Sequence, residues 1–555
     1  MKLKSILLIL AAASFMTCPT QASKPIIPQP RELNQTTGNF MFPNLTTYSV
    51  TTTKGDSIDK VVDIVGPHIE KAAGITLAKA KAGEKGTINF NENKSLPSEG
   101  YKLNVYPTNI EIEAADAAGF YYGLQTLRML LPFTTSSSPV EIECVEIEDS
   151  PRFGWRGFML DEGRHFFGKD EVKKILDLMS LYKMNRFHWH LTEDQGWRLE
   201  IKKYPKLTEV GANRKSTSLG WRNNLTTDTF PYGGYYSHAD IKEIVDYAKD
   251  RFIEIVPEID IPGHTQAAVA AYPEFLACDP ENPHEVWLRQ GVSTDVMNVA
   301  NPQAVQMSKD IIDELIELFP FGYIHLGGDE CPTVKWEQNA ECKTLLASLG
   351  SDNYRDLQLN FYKELVNHIS TKPKDQQRKL IFWNEVLHGN TDLIPNSEDI
   401  TVMAWVGADK AALDAANRGM KTILTPQIPY YINRKQSPSV NEPVSQGWGK
   451  ESLDTVYGYD PLKNVPAELA DKYMGVQANF WSEYVITPEF LEYLMLPRLV
   501  AVAEAGWTPQ SKRSYPDFRE RVRAHKTLFD NEGWNYGKHE FQNETIDPIT
   551  NPFID

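Results

Sequence analysis

Three observations predict an α/β protein in which a (β/α)8 TIM barrel follows a small α/β domain. The 555 residues exceed what one ordinary core accommodates. From residue 151 onward, short apolar runs alternate with stretches of helical periodicity, the pattern of βα units around a parallel sheet. Polar and aromatic residues then cluster just after the apolar runs, where such a barrel carries its site.

The order along the chain supports each part. Residues 1–22 read as a signal peptide: a basic MKLK, the apolar SILLILAAASFM, and small residues ending at Ala22. The run is too short and wrongly flanked to span a membrane, and no later run approaches spanning length. Phe15-Met16-Thr17 departs from the small-residue context of a lipidated cysteine. Cleavage after Ala22 is therefore expected rather than a lipid-anchored form through Cys18. The chain is expected to be exported, to a periplasmic or extracellular location.

Residues 23–150 read as the small α/β domain. IDKVVDIVGPHIEKAAG and DAAGFYYGLQTLRMLL are amphipathic helices, YKLNVYPTNIEIEA a hairpin, and VEIECVEIED a closing strand. The barrel is expected over 151–510. Its strand candidates are 155–161, 185–191, 252–260, 321–328, 379–386, 400–405, 421–426 and 474–481. DEVKKILDLMSLY, ADIKEIVDYAKD, QMSKDIIDELIELF and FLEYLMLPRLVAVAEAGW supply helical faces between or after them. The longest insertion, 434–465, follows strand seven. Residues 511–555 form a C-terminal extension whose helix, PDFRERVRAHKTLFD, should pack on the barrel. No internal repeat beyond the βα alternation and no low-complexity tract is present.

Composition narrows the partners. Hydrophobic residues make up 41%, mean hydropathy is −0.41, and the formal charge is −17. No basic stripe exists for nucleic acid or an anionic membrane surface, so neither is expected as a partner. After Cys18, four cysteines remain: Cys144, Cys278, Cys331 and Cys342. Their spacing matches no zinc pattern. Free thiols and one disulfide are equally compatible with an exported chain.

The strand ends carry the chemistry. Strand one leads to Asp161, Arg164 and His165; strand two to Glu193 and Asp194; strand three to Glu258, Asp260 and His264. Strand four ends in HLGGDE, with Asp329 and Glu330 adjacent. Trp383 and Glu385, Trp405, Tyr431 and Asn433, and Trp481 and Glu483 follow strands five to eight. Neighbours on an extended strand face opposite ways, but Gly327-Gly328 permits a bend that brings both acids to the barrel axis. Two close carboxyls cannot ionise independently, so one can remain a general acid while the other stays anionic. Aromatic walls around polar groups suit a sugar ring, with its apolar faces and hydroxyl edges. His188-Trp189-His190 offers an alternative: two imidazoles on one strand face could ligate a metal with His264 and Asp329, as in a metal-dependent hydrolase. A non-catalytic sugar-binding barrel is a third reading.

These motifs together resemble the exo-acting bacterial β-N-acetylhexosaminidases of glycoside hydrolase family twenty. The matching segments include RGFMLDEGRHF, NRFHWHLTEDQGWRLEIKKYPKLTEVGA, VPEIDIPGHTQAA, HLGGDE and VQANFWSEY, within roughly 98–507. The resemblance implies the small-domain-plus-barrel architecture and removal of terminal β-linked GlcNAc or GalNAc from glycans. It also implies a retaining hydrolysis in which the substrate's own acetamido oxygen is the nucleophile, with no cofactor or metal. It assigns Glu330 as general acid/base and Asp329 as the residue orienting the acetamido group. Tyr431 would bond the acetamido oxygen, and Trp383, Trp405 and Trp481 would wall the pocket. Arg164 and Glu483 would hold outer hydroxyls, and Glu193 with His264 would support the acid/base. Two positions depart from the family pattern: Glu193 and Asn433 stand where many members have Asp. At Asn433 the resemblance then implies a neutral hydroxyl contact in place of an anionic one. Glu162 and Cys331 are also unusual beside the motifs.

Overall fold

The computed structural model describes residues 24–52, 55–220, 226–395, 397–437 and 442–541. The expected signal peptide and the end of the C-terminal extension lie outside these residues.

The small domain is one seven-stranded sheet flanked by two helices. Its strands are β1 (Glu32–Met41), β2 (Leu45–Thr51), β3 (Thr76–Lys79), β4 (Ile88–Glu92), β5 (Tyr101–Val105), β6 (Ile110–Ala114) and β7 (Glu141–Asp149), in the order β1-β7-β5-β6-β4-β2-β3. The predicted hairpin is β5–β6, with Leu103 opposite Ile112 and every second residue buried. Helices α1 (Gly55–Ala73) and α2 (Ala117–Leu130) match the two amphipathic stretches. Asp116 caps α2 by accepting from the Gly119 amide. Strands β1 to β4 were not anticipated: β1 is a mostly exposed edge strand rich in Asn, Gln and Thr, which offers no apolar alternation.

All eight barrel strands form where the apolar runs predict them: β8 (Trp155–Asp161), β9 (Arg186–His190), β10 (Glu254–Glu258), β11 (Tyr323–His325), β12 (Lys379–Trp383), β13 (Thr401–Ala404), β14 (Lys421–Leu424) and β15 (Tyr473–Phe480). They close in sequence order, with Phe158 paired to Phe187 on one side of β8 and Leu160 to Phe480 on the other. Every residue of β8 is buried, as a strand covered on both faces requires. Helix α3 (Lys169–Leu181) follows β8. Helix α4 (His238–Lys249) starts at a capping box of Ser237 and Asp240, and α5 (Pro302–Leu318) starts at an Asn301 cap.

Two predicted continuous helices are broken. The stretch after strand eight splits into α6 (Pro488–Met495) and α7 (Arg498–Trp507) around Pro497, which lacks an amide hydrogen and disfavours helix in the residue before it. The C-terminal helix splits into α8 (Tyr515–Ala524) and α9 (Lys526–Asn531) at His525, whose buried ring bridges the Tyr182 hydroxyl and the Pro25 carbonyl.

Buried polar contacts fix the small domain against the base of the barrel. Asp149 at the end of β7 accepts from Tyr101 Oη at 2.8 Å, Lys183 Nζ at 3.3 Å and Trp507 Nε1 at 2.9 Å. Arg156 on β8 pairs with Glu99 at 2.6 Å. All four cysteines after Cys18 are free thiols, so no disulfide forms in this structure. No helix among the described residues is long and apolar enough to cross a membrane.

Candidate active site

The acid pair is set by the backbone after β11. Gly327 and Gly328 adopt φ of 66° and 95°, and Glu330 adopts φ of 40°. A Cβ on Gly327 would collide with the Asp260 carboxylate, and one on Gly328 with the Tyr362 hydroxyl. Glycine is therefore required twice, for conformation and for space. Asp260 Oδ1 accepts from the Gly328 amide at 3.0 Å and pins the bend. Both acids reach the same imidazole: His264 Nε2 is 3.8 Å from Asp329 Oδ2 and 3.8 Å from Glu330 Oε2. His264 itself has φ of 50°. Two non-glycine residues thus hold left-handed backbone within one site, a strain that the surrounding packing sustains. Asp329 is 7% exposed, whereas the Glu330 side chain is 45% exposed at the mouth.

Behind the pair, acids and imidazoles alternate down the barrel. His264 Nδ1 lies 3.0 Å from Glu193 Oε2, and Glu193 Oε1 is 3.1 Å from His190 Nε2. His190 Nδ1 meets Glu258 Oε2 at 2.5 Å. Burial disfavours charge on every member, but the neighbours win. Glu258 and Glu193 are held well below the usual carboxylate range, and His190 and His264 well above the usual imidazole range. Arg164 adds a third cation to Glu193 at 2.8 Å and also contacts Asp161 at 3.1 Å. Glu330 differs: burial, with Asp329 reinforcing and His264 opposing, raises its carboxyl. A raised carboxyl beside anions is what a general acid needs.

The walls are aromatic. Trp405 and Tyr431 stack at 6.0 Å with 5° between planes, and Trp481 lies 5.9 Å from both Trp383 and Tyr431. Trp383 Nε1 donates to Glu258 at 2.8 Å, and Trp405 Nε1 to Glu385 at 2.9 Å. Burial, with Asp329 adding, pushes the Glu385 carboxyl up to about 8. A cavity of about 300 Å³ opens between these groups, lined among others by Arg164, Glu330, Trp405, Tyr431 and Glu483. Its size suits one sugar ring.

Residues 153–510 match the model of glycosyl hydrolase family 20, catalytic domain, and residues 23–150 that of family 20, domain 2. The chain belongs to glycosyl hydrolase family 20. A beta-hexosaminidase of Porphyromonas gingivalis is 39% identical over 521 residues, covering 92% of this chain and 64% of that protein. The chain thus spans a little under two thirds of that relative. A family 20 exo-beta-N-acetylglucosaminidase from Vibrio harveyi, solved in complex with N-acetylglucosamine, superposes with a TM-score of 0.82 at 31% identity over 94% of this chain and 79% of that one. A beta-N-acetylhexosaminidase structure from Bacteroides fragilis gives 0.77 at 30% identity, covering 94% and 99%.

In this family 20 chain the site residues expected from sequence fall into two groups. Arg164, Glu330, Trp405, Tyr431 and Glu483 line the cavity. Asp329, Glu193, His264, Trp383 and Trp481 stand directly behind them through the contacts above. Asn433 does not join the lining: it is 1% exposed, and its Oδ1 finds no hydrogen-bond partner. Its neighbour Arg434 takes the wall instead, with Gln290, Gln427 and Gln446. Arg434, Gln290 and Gln446 sit on an insertion or long loop, and Gln427, just past β14, carries no charge or ring to single it out. The metal alternative fails on geometry. His188 and His190 do share a face, but both address Glu258, at 2.9 and 2.5 Å, and His264 is not within one coordination sphere of them. His188 is pushed down to about 4 by burial. As a neutral ring it accepts from Gln477 at Nδ1, and its Nε2 lies 2.9 Å from Glu258 Oε2. Glu162, unexplained from sequence, is a buried structural acceptor for Tyr236 Oη and the Phe167 amide.

Proposed function

We propose that the protein is an exported exo-β-N-acetylhexosaminidase that removes terminal β-linked GlcNAc or GalNAc by substrate-assisted, retaining hydrolysis. The observation that carries this reading is the convergence of Asp329 and Glu330 on His264 at an aromatic-walled cavity the size of one sugar. The name of the P. gingivalis relative and the sugar bound in the Vibrio harveyi structure support it. The signal-like residues 1–22 support export.

In this mechanism the acetamido group enters between Trp383, Trp405, Trp481 and Tyr431. Asp329 accepts its N–H, and the Tyr431 hydroxyl donates to its oxygen. That oxygen attacks the anomeric carbon while protonated Glu330 gives its proton to the departing glycosidic oxygen. The oxazolinium ion formed carries positive charge toward Asp329, which stabilises it. Glu330, now a carboxylate, takes a proton from the water that attacks the anomeric carbon on the face the leaving group vacated. Two inversions give net retention. His264, charged and backed by Glu193, keeps the two acids apart in position and in ionisation.

The test is hydrolysis of matched aryl β-N-acetylglucosaminide and β-glucoside by the purified protein, with and without chelator. Cleavage of the acetamido sugar alone, unaffected by chelation, is expected. Comparable cleavage of the glucoside would remove the neighbouring-group step. Loss of activity on chelation would overturn the mechanism.

A further inference from the structure

Two of the four free thiols meet. Cys278 lies on the segment between His264 and α5, and Cys342 on the helix Ala340–Ser348 that follows the acid pair. They are about sixty residues apart in sequence. One side chain joins their backbones: Asn339 Nδ2 donates to the Cys278 carbonyl at 2.9 Å, and Asn339 Oδ1 accepts from the Cys342 amide at 2.9 Å. Both sulfurs reach the same strip of chain, Cys278 Sγ the Val296 carbonyl at 3.9 Å and Cys342 Sγ the Asn298 Oδ1 at 3.5 Å. The thiols also hydrogen-bond each other, which favours charge on Cys342 and disfavours it on Cys278. The strip between them is tied to the active site on either side. The Met297 amide donates to the Pro262 carbonyl at 3.0 Å, two residues before His264, and Trp336 Nε1 donates to the Met297 carbonyl at 2.9 Å.

Two facing thiols can share a metal or join to each other. A metal needs further ligands, and the groups beside Cys278 are already engaged. His284 Nδ1 meets Asp295 at 2.8 Å and its Nε2 the Asp279 carbonyl at 3.2 Å, while Lys335 Nζ meets Asp279 at 2.6 Å and Asp295 at 3.4 Å. Joining asks only that two sulfurs already in contact close to about 2.0 Å. We propose that Cys278 and Cys342 form a disulfide on meeting a small-molecule disulfide, clasping the segment that carries His264 to the helix that follows Glu330. The half-buried Cys278 takes one sulfur of the oxidant RSSR, forming a mixed disulfide and releasing the first RSH. Cys342, as its thiolate, then displaces the second RS⁻, which takes up the proton that Cys342 gave. Two electrons and two protons pass to the oxidant, which leaves as two RSH. The clasp is independent of the hydrolase reading, and the export proposed above would bring the chain to oxidants of this class.

The test equilibrates the purified protein with oxidised glutathione, alkylates the remaining thiols in denaturant, and maps the peptides without reduction. Cys278 joined to Cys342 is expected, with Cys144 and Cys331 alkylated. Dithiothreitol is then expected to lower the melting temperature by roughly 3–8 °C, because the clasp restricts the unfolded chain. Cys278→Ser should melt at the same temperature with and without dithiothreitol. Comparing the two conditions within each protein cancels any direct cost of the substitution. Cys278 and Cys342 both alkylated, a link through Cys144 or Cys331, or glutathione left on Cys278 would each overturn the pairing. So would a wild-type midpoint indifferent to dithiothreitol, or an equal shift in Cys278→Ser. Hydrolysis of an aryl β-N-acetylglucosaminide by the same preparations reports separately on the hydrolase reading, so either can fail alone.

Discussion

Asp329→Asn keeps the shape of the side chain and removes one charge. Asp329 is 7% exposed and lies among other carboxyl groups. Burial, and after it the Asp329 charge, raises both Asp260 and Glu385, and the same charge helps to raise Glu330. In the proposed mechanism Asp329 faces the acetamido nitrogen as it turns positive. A unit charge pair about 4 Å apart is worth about 4 kcal/mol at an effective dielectric near 20. The amide retains an acceptor, so the loss should be about 2.7–4 kcal/mol, a fall in kcat of about 10²- to 10³-fold. Two further signs follow. Without the neighbouring anion Glu330 gives up its proton more readily, so the basic limb of the kcat profile moves to lower pH. Relief of repulsion among Asp260, Glu385 and Glu330 also means that the melting temperature should hold or rise. Both are read from kcat against pH on an aryl N-acetylglucosaminide and from thermal melts. A kcat within threefold of wild type, or a basic limb moving upward, would refute the reasoning.

Glu330→Gln is expected to lose about 10²- to 10⁴-fold on disaccharides with poor leaving groups and far less on activated aryl glycosides; equal losses on both would exclude a general-acid role. His264→Asn removes the cation that opposes Glu330's upward shift, so its basic limb should move to higher pH, opposite to Asp329→Asn, and a shift of the same sign in both would contradict the electrostatic account. Asp149→Ala strands Lys183 without its buried partner and is expected to cost about 3–5 kcal/mol in equilibrium denaturation; an unchanged midpoint would show that the domain junction rests elsewhere. Burial pushes the Glu162 carboxyl from 4.5 up to about 8. A carboxyl raised by folding stabilises fully below its unfolded value and loses that stability as pH climbs toward the folded one. Glu162→Gln should flatten the fall in melting temperature between about pH 5 and 8, and parallel slopes in the two proteins would count against this.

The barrel was legible because each of its strands is buried on both faces and reads as a short apolar run; β8 has no exposed residue to obscure it. The edge strand β1 was not, because a solvated strand of Asn, Gln and Thr has the composition of a loop. The site was legible where chemistry follows a strand directly, as at Asp329, Glu330, His264 and Trp481. It was misplaced by one residue after β14. Side-chain direction on an irregular turn follows from local φ and ψ and not from a period of two, so the sequence could not tell that Asn433 turns inward and Arg434 faces the cavity.

The adjacency of two acids after a buried strand acquires a physical reason from the row behind them. Glu258 is held anionic, His190 cationic, Glu193 anionic and His264 cationic, each charge stabilised by the next despite full burial. A proton lost from the interior of such a row to solvent would leave an uncompensated buried charge. Proton exchange with solvent is therefore favoured at its open end. There His264 stands 3.8 Å from both carboxylates, too far for a tight ion pair with either, and only Glu330 reaches solvent. Asp329 is enclosed beside the pocket, whereas Glu330, exposed and raised, is fitted to cycle between acid and base. Two carboxyls one residue apart thus stand in different surroundings, and the left-handed turn through Gly327, Gly328 and Glu330 provides them.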